Sequence, residues 1–220
     1  MITVSQTVEN IVNSRPFLAE ALVEGIVNVS SLARKIQPQV EEALRKPIKA
    51  GAIVMALNRL IPNLEVKMQT GITQLIQNLG DIIVRSHLSD YTFKNSKTLI
   101  EKHTQLLETI GRNQEFFYTM VQGVFESNLV VSNSLVESVN QFFNEEQLIT
   151  KTSNLSAVTL KLPIDNSQQP GFYYFILKKI AWAGINISEV ISTTNEFTLV
   201  VKDEDIDKTF SVLKNLDAQF

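Results

Sequence analysis

Apolar residues recur at helical spacing along the first sixty residues of the chain. The spacing predicts short helices over residues 16–25, 30–36, 38–44 and 48–60, which are separated by proline, glycine and polar residues. Pro38 is expected to end the second helix, because proline lacks the N–H that continues a helix, and to begin the third. The front of the chain is therefore predicted to be all-helical.

The last of these helices, over residues 48–60, has two different faces. At a spacing of 3.6 residues per turn, the face that is expected to pack against the core carries Ala50, Ile53, Leu57 and Leu60. The opposite face is small and polar and is expected to be exposed. It carries Gly51, Ala52, Met55, Asn58 and Arg59.

The remaining two thirds of the chain contain an internal repeat. Leu-Val-Val occurs at 129–131 and again at 199–201, 70 positions later, and apolar positions coincide elsewhere at this offset. Each repeat predicts a strand, a helix, two strands joined by a turn, and a second helix. In the second repeat these are a strand around 158–162, a helix from 172 to Ala183-Gly184, strands over 185–192 and 197–202, and a helix from 203.

Composition places the chain among globular proteins of one to three domains, because 44% of its 220 residues are hydrophobic and 20% are charged. The absence of cysteine excludes disulfides and thiolate chemistry, and two histidines leave little for a metal site. Neither a leader segment nor an apolar run of about 18 residues is present, so a cytoplasmic location without a membrane partner is predicted.

Charge is distributed unevenly around a net value of −3. Residues 1–67 carry eight basic and six acidic side chains, a balance of +2, so the rest of the chain has a balance of −5. A mildly basic front suits a module that contacts an anionic partner, since phosphate attraction depends on local charge. Ordinary solvated surface is the alternative explanation of so small a bias.

Motifs for catalysis are missing from the sequence. The eight glycines are scattered, without a Gly-x-Gly-x-x-Gly or Walker pattern, and neither His87 nor His103 has a Gly-x-Ser-x-Gly sequence nearby. Both histidines are interpreted as surface or hydrogen-bonded residues. No enzymatic activity, catalytic residue, cofactor or metal is predicted.

Residues 14–62 resemble a winged helix-turn-helix domain, through the order of their short helices and the Ser-x-Leu-Ala-Arg sequence at 30–34. The resemblance implies that the helix over 48–60 enters the DNA major groove. Asn58 is then the candidate for contact with a base edge. The candidates for phosphate contact are Arg34, Lys35, Arg45, Lys46, Lys49 and Arg59. A small helical domain for dimerisation or docking is the alternative.

The second repeat resembles an ACT domain, through Asp-Asn-Ser-Gln-Gln-Pro-Gly-Phe at 165–172, Ala-Gly-Ile-Asn-Ile-Ser-Glu-Val-Ile-Ser-Thr-Thr at 183–194 and Phe-Thr-Leu-Val-Val at 197–201. It is most similar to the tandem ACT region of aspartate kinases, over residues 156–214 well and over 80–147 more weakly. The family implies βαββαβ units that pair into larger sheets, assemble as homodimers or higher oligomers, and sense a small ligand, usually an amino acid, where two units meet.

The fold class that follows is α+β, with an all-α helix-turn-helix-like domain at 1–66 and two ferredoxin-like βαββαβ ACT units at 67–153 and 154–220. Only four residues, 217–220, follow the last predicted helix, which is short for the fourth strand of the second unit. An exchange of strands between the two units cannot be read from the sequence.

By resemblance, the ligand contacts are expected in the second ACT unit. A proline-glycine turn at a helix start offers N–H groups and close approach to a carboxylate, and an acidic side chain can accept from an ammonium. The contacts carried over are Asp165 as the ammonium acceptor, Gln169, Gly171, Asn186 and Ile187. At the 70-residue offset Glu101 replaces Gly171 and Phe116 replaces Asn186, so the first unit is predicted to serve structure only.

Two functions fit these features. In the first, the protein is an amino-acid-sensing transcription regulator, whose ACT units bind the ligand while its helix-turn-helix head binds DNA. In the second, it is an ACT sensor or regulatory subunit that does not bind DNA and acts on an amino-acid biosynthetic enzyme.

Overall fold

The computed structural model describes residues 2–111, 115–164, 166 and 169–216, without the side chains of 65–73. The chain divides into two compact units, Met1–Gln74 and Leu75–Phe220, which we call the helical unit and the sheet unit. Within the described residues, no helix combines the length and the apolar character needed to cross a bilayer. The predicted domain limits at residues 66 and 153 stay predictions.

The helical unit begins with four helices in succession. They are α1 (Val4–Asn13), α2 (Pro16–Val23), α3 (Val29–Leu44) and α4 (Ala50–Gln77), the last of which continues past the unit boundary. Thr3 and Gln6 cap the start of α1 reciprocally, and the Asn28 side chain accepts from the Ser31 N–H at the start of α3. α1 precedes all the predicted helices. The described residues of this unit contain no strand, so a wing is not found there and the helix-turn-helix assignment stays a prediction.

Prolines within two of these helices correct the sequence prediction. Pro38 lies inside α3, and Pro62 lies inside α4, which continues well past Leu60. Each proline removes one helical hydrogen bond, but Pro38 and Arg34, whose carbonyl would lose its partner, are both exposed to water. On the other side of α3, Ile36 and Val40 are fully buried and hold the helix together across the proline.

The two faces of α4 are confirmed. Ile53, Leu57 and Leu60 are buried in the core of the helical unit, and Ala50 is half-buried. The residues predicted to face outwards are all exposed, and they are Gly51, Ala52, Met55, Asn58 and Arg59. The apolar spacing alone was sufficient to orient this helix.

The sheet unit contains the two repeats. Its strands are β1 (Ile82–Lys94), β2 (Tyr118–Gln122), β3 (Glu126–Ser132), β4 (Leu148–Lys161), β5 (Ile187–Ser192) and β6 (Glu196–Lys202). Its helices are α5 (Leu99–Ile110), α6 (Val136–Phe142), α7 (Phe172–Trp182) and α8 (Ile206–Lys214). The strands form one antiparallel sheet in the order β2-β3-β1-β4-β6-β5. β3 and β6 start 70 residues apart, as the repeat predicts.

The two long strands, β1 and β4, are shared between the repeats. The second half of β1, from Leu88, pairs with β3 of its own repeat, whereas Ile82–Arg85 pairs with β4 alone. Reciprocally, Leu155–Lys161 pairs with β6, whereas Leu148–Thr152 pairs with β1. Each repeat therefore receives its fourth strand from the other.

A left-handed residue marks the point where each long strand changes repeat. These residues are His87 in β1 (φ 62°) and Asn154 in β4 (φ 58°), and the β1–β4 register shifts between Arg85 and Leu88. Such bulges bend a strand and increase its twist. They allow the two halves of a strand to follow two different units.

The two faces of the sheet bury different clusters. On one face, α5 and α6 cover the first repeat, with Tyr91, Leu106 and Leu129 in the core. On the other face, Leu88, Val130, Leu155, Ala157 and Val200 form a smaller cluster, which Phe117 and Ile191 cover from the two outer parts of the sheet. The sheet is curled over this second face, so its two outer parts approach each other.

An acidic cluster lies on the curled face. The Asn128 Nδ2 donates to Asp90 Oδ1 at 2.6 Å and to Glu189 Oε1 at 3.0 Å, which joins a strand of the first repeat to the outer strand of the second. Burial raises the pKa of Asp90, and burial with the charge of Asp90 raises the pKa of Glu189. One amide therefore stabilises two carboxylates that would otherwise repel each other.

Candidate ligand site at the start of α7

The loop that leads into α7 is longer than its counterpart in the first repeat. Ten residues, 162–171, connect β4 to α7, whereas four residues, 95–98, connect β1 to α5. The second repeat therefore has six additional residues beside the start of its first helix. Extra loop residues on a rigid scaffold are a common place for binding functions.

Gly171 is the cap residue of α7 and has a left-handed backbone, with φ 88° and ψ −6°. A residue with a Cβ is strained in this conformation, which explains why glycine occupies the position. Glycine also contributes no side-chain oxygen to the N–H groups of the first turn. Phe172, 1% exposed, anchors this end of the helix in the core, so the N–H groups and the positive end of the dipole are held in a fixed place.

Asn166 and Tyr173 hold the loop against the β5–β6 turn. The buried Asn166 side chain donates from Nδ2 to the carbonyl oxygens of Pro163 and Thr194, both at 2.7 Å. The Tyr173 hydroxyl lies 3.1 Å from Ser192 Oγ and 3.4 Å from Asn166 Oδ1. Tyr173 and Ser192 therefore add two hydroxyls beside the helix start. The sequence did not single them out, because Tyr173 lies within a run of aromatic residues that favours packing.

The predicted ligand contacts fall into two groups. Gln169 and Gly171 lie in the loop before α7, and Asp165 lies outside the described residues. Asn186 and Ile187 precede and begin β5, whose other end reaches the β5–β6 turn beside that loop. The length of β5, about 17 Å at roughly 3.3 Å per residue, separates the two groups. One chain does not bring all of these residues together.

The first repeat differs from the predicted correspondence. Because its loop is six residues shorter, the cap of α5 that corresponds to Gly171 is Thr98, and not Glu101, which lies within the helix. The Thr98 side chain makes no capping bond, and Ser96 supplies one from two residues earlier, since its Oγ accepts from the Thr98 and Leu99 N–H groups at 3.2 and 3.1 Å. Phe116, predicted opposite Asn186, packs against the core of the first repeat.

The two histidines have different surroundings. His87 is exposed in the bulge of β1, whereas His103 stacks on Tyr118 with the ring centres 5.5 Å apart. Burial lowers the pKa of His103 and raises that of Tyr118. The His103 Nε2 is buried and has no partner among the described residues, so the expectation of a surface or hydrogen-bonded histidine is wrong for this residue. In the described ranges no three acidic, histidine or cysteine side chains form a metal site.

The candidate DNA contacts lie on an exposed part of the helical unit. All of them are exposed, and they are Arg34 and Lys35 on α3, Arg45, Lys46 and Lys49 in the connection to α4, and Asn58 and Arg59 on α4. Hydrogen bonds fix the connection, because Ile48 N donates to Glu41 Oε1 at 3.0 Å and Gln37 Nε2 donates to Ile48 O at 2.9 Å. The Ile48 N–H and the Gln37 amide, which also donates to Glu41 Oε1 at 3.2 Å, hold the pKa of Glu41 below its ordinary value. The basic side chains are thus carried on an ordered backbone.

Comparison with solved structures identifies the fold. The chain is similar to the ligand-free regulatory subunit of aspartate kinase from Thermus thermophilus, with 12% identity, a TM-score of 0.51, and coverage of 63% of this chain and 97% of that one. The regulatory subunit from Thermus flavus gives 11% identity, a TM-score of 0.50, and the same coverage. The match to Clostridium acetobutylicum aspartate kinase, at 13% identity and a TM-score of 0.51, covers 61% of this chain but 34% of the enzyme.

These similarities show that the part of the chain that they cover shares its fold with the regulatory subunits of aspartate kinase. No family model matches the sequence, and no curated protein is similar to it in sequence. At 11–13% identity the comparison concerns the fold alone. The resemblance in the sequence to the tandem ACT region of aspartate kinases is thus supported at the level of structure.

Proposed function

We propose that the protein is an amino-acid-sensing regulator and that the start of α7 binds the carboxylate of the ligand. The observation that carries this proposal is the glycine cap of α7, in a left-handed conformation at the end of a ten-residue loop. N–H groups at a helix start bind carboxylates, and glycine allows close approach. The hydroxyls of Tyr173 and Ser192 lie beside this point and supply further polar contacts. The regulatory fold is consistent with a sensing role.

The ligand is shared between two copies of the chain in this proposal. Gly171 and Gln169 lie at one end of β5 and Asn186 and Ile187 at the other, so a small molecule contacts both groups only when two chains meet. The protein is therefore a homodimer or a higher oligomer, with Asp165 as the acceptor for the ligand ammonium.

Gly171→Ala is expected to abolish the response to the cognate amino acid, with a loss of affinity of at least 10-fold. The added methyl group strains a left-handed residue and obstructs the approach of the carboxylate. The measurement is the thermal shift of the protein in a panel of the twenty amino acids. Gly184→Ala is the matched control, because Gly184 follows the other end of α7 at φ 69°, and a Cβ there meets no atom within 4 Å. It carries the same backbone strain and should keep the response.

A mixing experiment tests the division of the site between copies. Asn186→Phe alone should lose the response, as Gly171→Ala does. A mixture of the two variants, refolded together, should regain part of it, since a mixed dimer has one site with both groups intact. Lack of recovery, in a mixture that light scattering shows to be dimeric, would place both groups within a single chain. A response that survives both substitutions would place the ligand elsewhere.

For the helical unit we propose DNA as the partner, bound through the connection 45–49 and the outward face of α4. The specific observation is that six basic side chains and Asn58 lie exposed on α3, on α4 and in the ordered connection between them, and that the outward face of α4 is small. Phosphate contacts and one amide at a base edge are the components of groove recognition. Docking on an amino-acid biosynthetic enzyme, as a regulatory subunit, is the other output consistent with a sensor.

Lys49→Ala is expected to weaken binding to all DNA sequences alike, whereas Asn58→Ala should relax the preference at one base pair by about 1–3 kcal/mol. The measurement is a mobility-shift titration with DNA from upstream of the protein's own gene, at 50 and 200 mM salt. Lys97→Ala, an exposed lysine of the sheet unit, should leave the affinity unchanged. Absence of binding at the lower salt, or binding that salt does not weaken, would contradict DNA as the partner and favour the enzyme.

A further inference from the structure

A buried carboxylate closes the short loop of the first repeat. Glu146, which precedes β4, is 9% exposed. Its Oε2 accepts from Ser96 Oγ and its Oε1 accepts from Thr98 Oγ1, both at 2.6 Å. This distance is typical of strong hydrogen bonds from a hydroxyl to a charged carboxylate. Both oxygens of the acid are thus held by the loop.

The hydrogen-bonding capacity of the loop is directed at this carboxylate. Each hydroxyl has one proton, and both protons go to Glu146. The lone pairs of Ser96 Oγ accept from the Thr98 and Leu99 N–H groups, so Ser96 connects the carboxylate to the start of α5. Removing the carboxylate would leave two hydroxyl protons in a partly buried cluster without their acceptor, which is unfavourable.

The second repeat has no acid at the corresponding position. Glu146 lies 70 residues before Leu216, which is 1% exposed, and this offset holds for the preceding helices, since α6 and α8 start at Val136 and Ile206. The second repeat has the long loop and the glycine cap, whereas the first has the short loop, the serine cap and the glutamate. The two repeats thus differ in whether the chain supplies its own carboxylate beside the first helix.

We propose that residues 95–98 and the start of α5 form a carboxylate-binding pocket, and that Glu146 is its tethered occupant. The pocket takes a small monocarboxylate of the size of acetate once the Glu146 side chain is truncated. This inference rests on the proposed function in one respect: the occupied pocket limits each chain to one ligand-binding repeat. The pocket itself is independent of the ligand of the second repeat.

Chemical rescue tests the pocket. Glu146→Ala removes the equivalent of acetate, and the melting temperature of the full chain should fall by roughly 4–8 °C. Sodium acetate at 0.2 M should restore at least half of that loss relative to sodium chloride, because a ligand that binds only the folded state stabilises it. The wild type, whose pocket is occupied, and Glu146→Leu, whose side chain fills the space, should respond to the two salts equally.

The outcomes distinguish a pocket from a simple structural contact. Thr98→Val in the Glu146→Ala background should reduce the rescue, since one of the two donors is lost. Equal effects of acetate on all variants would overturn the proposal, as would a Glu146→Ala chain that folds in neither salt. The amino-acid response of the second repeat should persist in Glu146→Ala and be lost in Gly171→Ala. The acetate experiment therefore tests the pocket of the first repeat even if the second repeat binds no amino acid.

Discussion

Replacing Leu155 with alanine is expected to lower the free energy of unfolding of the sheet unit by about 2–5 kcal/mol, the cost of a cavity at a fully buried leucine. Leu155 is 0% exposed and follows Asn154, where β4 passes from one repeat to the other. It pairs with Leu88 of β1 and with Lys202 of β6. A cavity there removes contacts that both repeats use.

Urea denaturation followed by the fluorescence of Trp182 and by circular dichroism measures this effect. Trp182 is the single tryptophan of the chain and lies in the second repeat. Leu99→Ala, a core change in the first repeat, should lower the Trp182 midpoint too, because the shared strands couple the repeats. Leu148→Ala is the control on the same strand, 47% exposed, and should cost no more than about 0.5 kcal/mol. If Leu99→Ala leaves the urea midpoint of the Trp182 fluorescence transition unchanged, the two repeats unfold separately.

Asn128→Ala is expected to destabilise the sheet unit by about 2 kcal/mol or more at pH 7, because it removes the amide that stabilises the carboxylates of Asp90 and Glu189. Both carboxyls have pKa values raised in the folded state, Asp90 by burial and Glu189 by burial and the charge of Asp90. Stability from their protonation is present below about pH 4, the ordinary carboxyl pKa, and is lost as the pH rises through the folded pKa values.

The effect of Asn128→Ala should therefore depend on pH. The loss of unfolding free energy should be larger at pH 7 than at pH 4. At pH 7 two charged carboxylates are left without the amide, whereas at pH 4 protonated carboxyls can hydrogen-bond to each other. The measurement is the Trp182 unfolding midpoint at both pH values. Glu189→Gln in the same background should reduce the loss at pH 7, since it removes the repulsion. An equal loss at both pH values would assign Asn128 to packing alone.

Local periodicity was enough to predict much of this fold. The spacing of Ile53, Leu57 and Leu60 oriented α4 correctly, because packing on one face is a property of neighbouring residues on one helix. The repeat of Leu-Val-Val predicted β3 and β6, which occupy equivalent places in the sheet. Both features depend on residues that are close in sequence or identical in pattern.

Features that depend on distant contacts were not predictable in this way. Pro38 predicts a helix break, but burial of Ile36 and Val40 against other helices outweighs the loss of one solvated hydrogen bond. The exchange of the fourth strands arises from pairing between Ile82 and Leu160, which no local pattern encodes. A single ungapped offset could not detect that the loops before α5 and α7 differ in length, and it therefore matched Gly171 to Glu101 when Thr98 is the equivalent residue.

The reciprocal pairing of β1 and β4 sets an order for folding as the chain leaves the ribosome. The partner of Ile82 is Leu160, 78 positions later, so the first half of β1 emerges well before the strand that completes its pairing. The first repeat also lacks its fourth strand until Leu148–Thr152 has been made. Strand pairing at this sequence separation is slow and exposes unpaired edges. The duplicated segment is therefore a unit of sequence but not of folding: the first copy stays incomplete until the start of β4 has been synthesised, and the second copy needs the first residues of β1 to complete its own sheet.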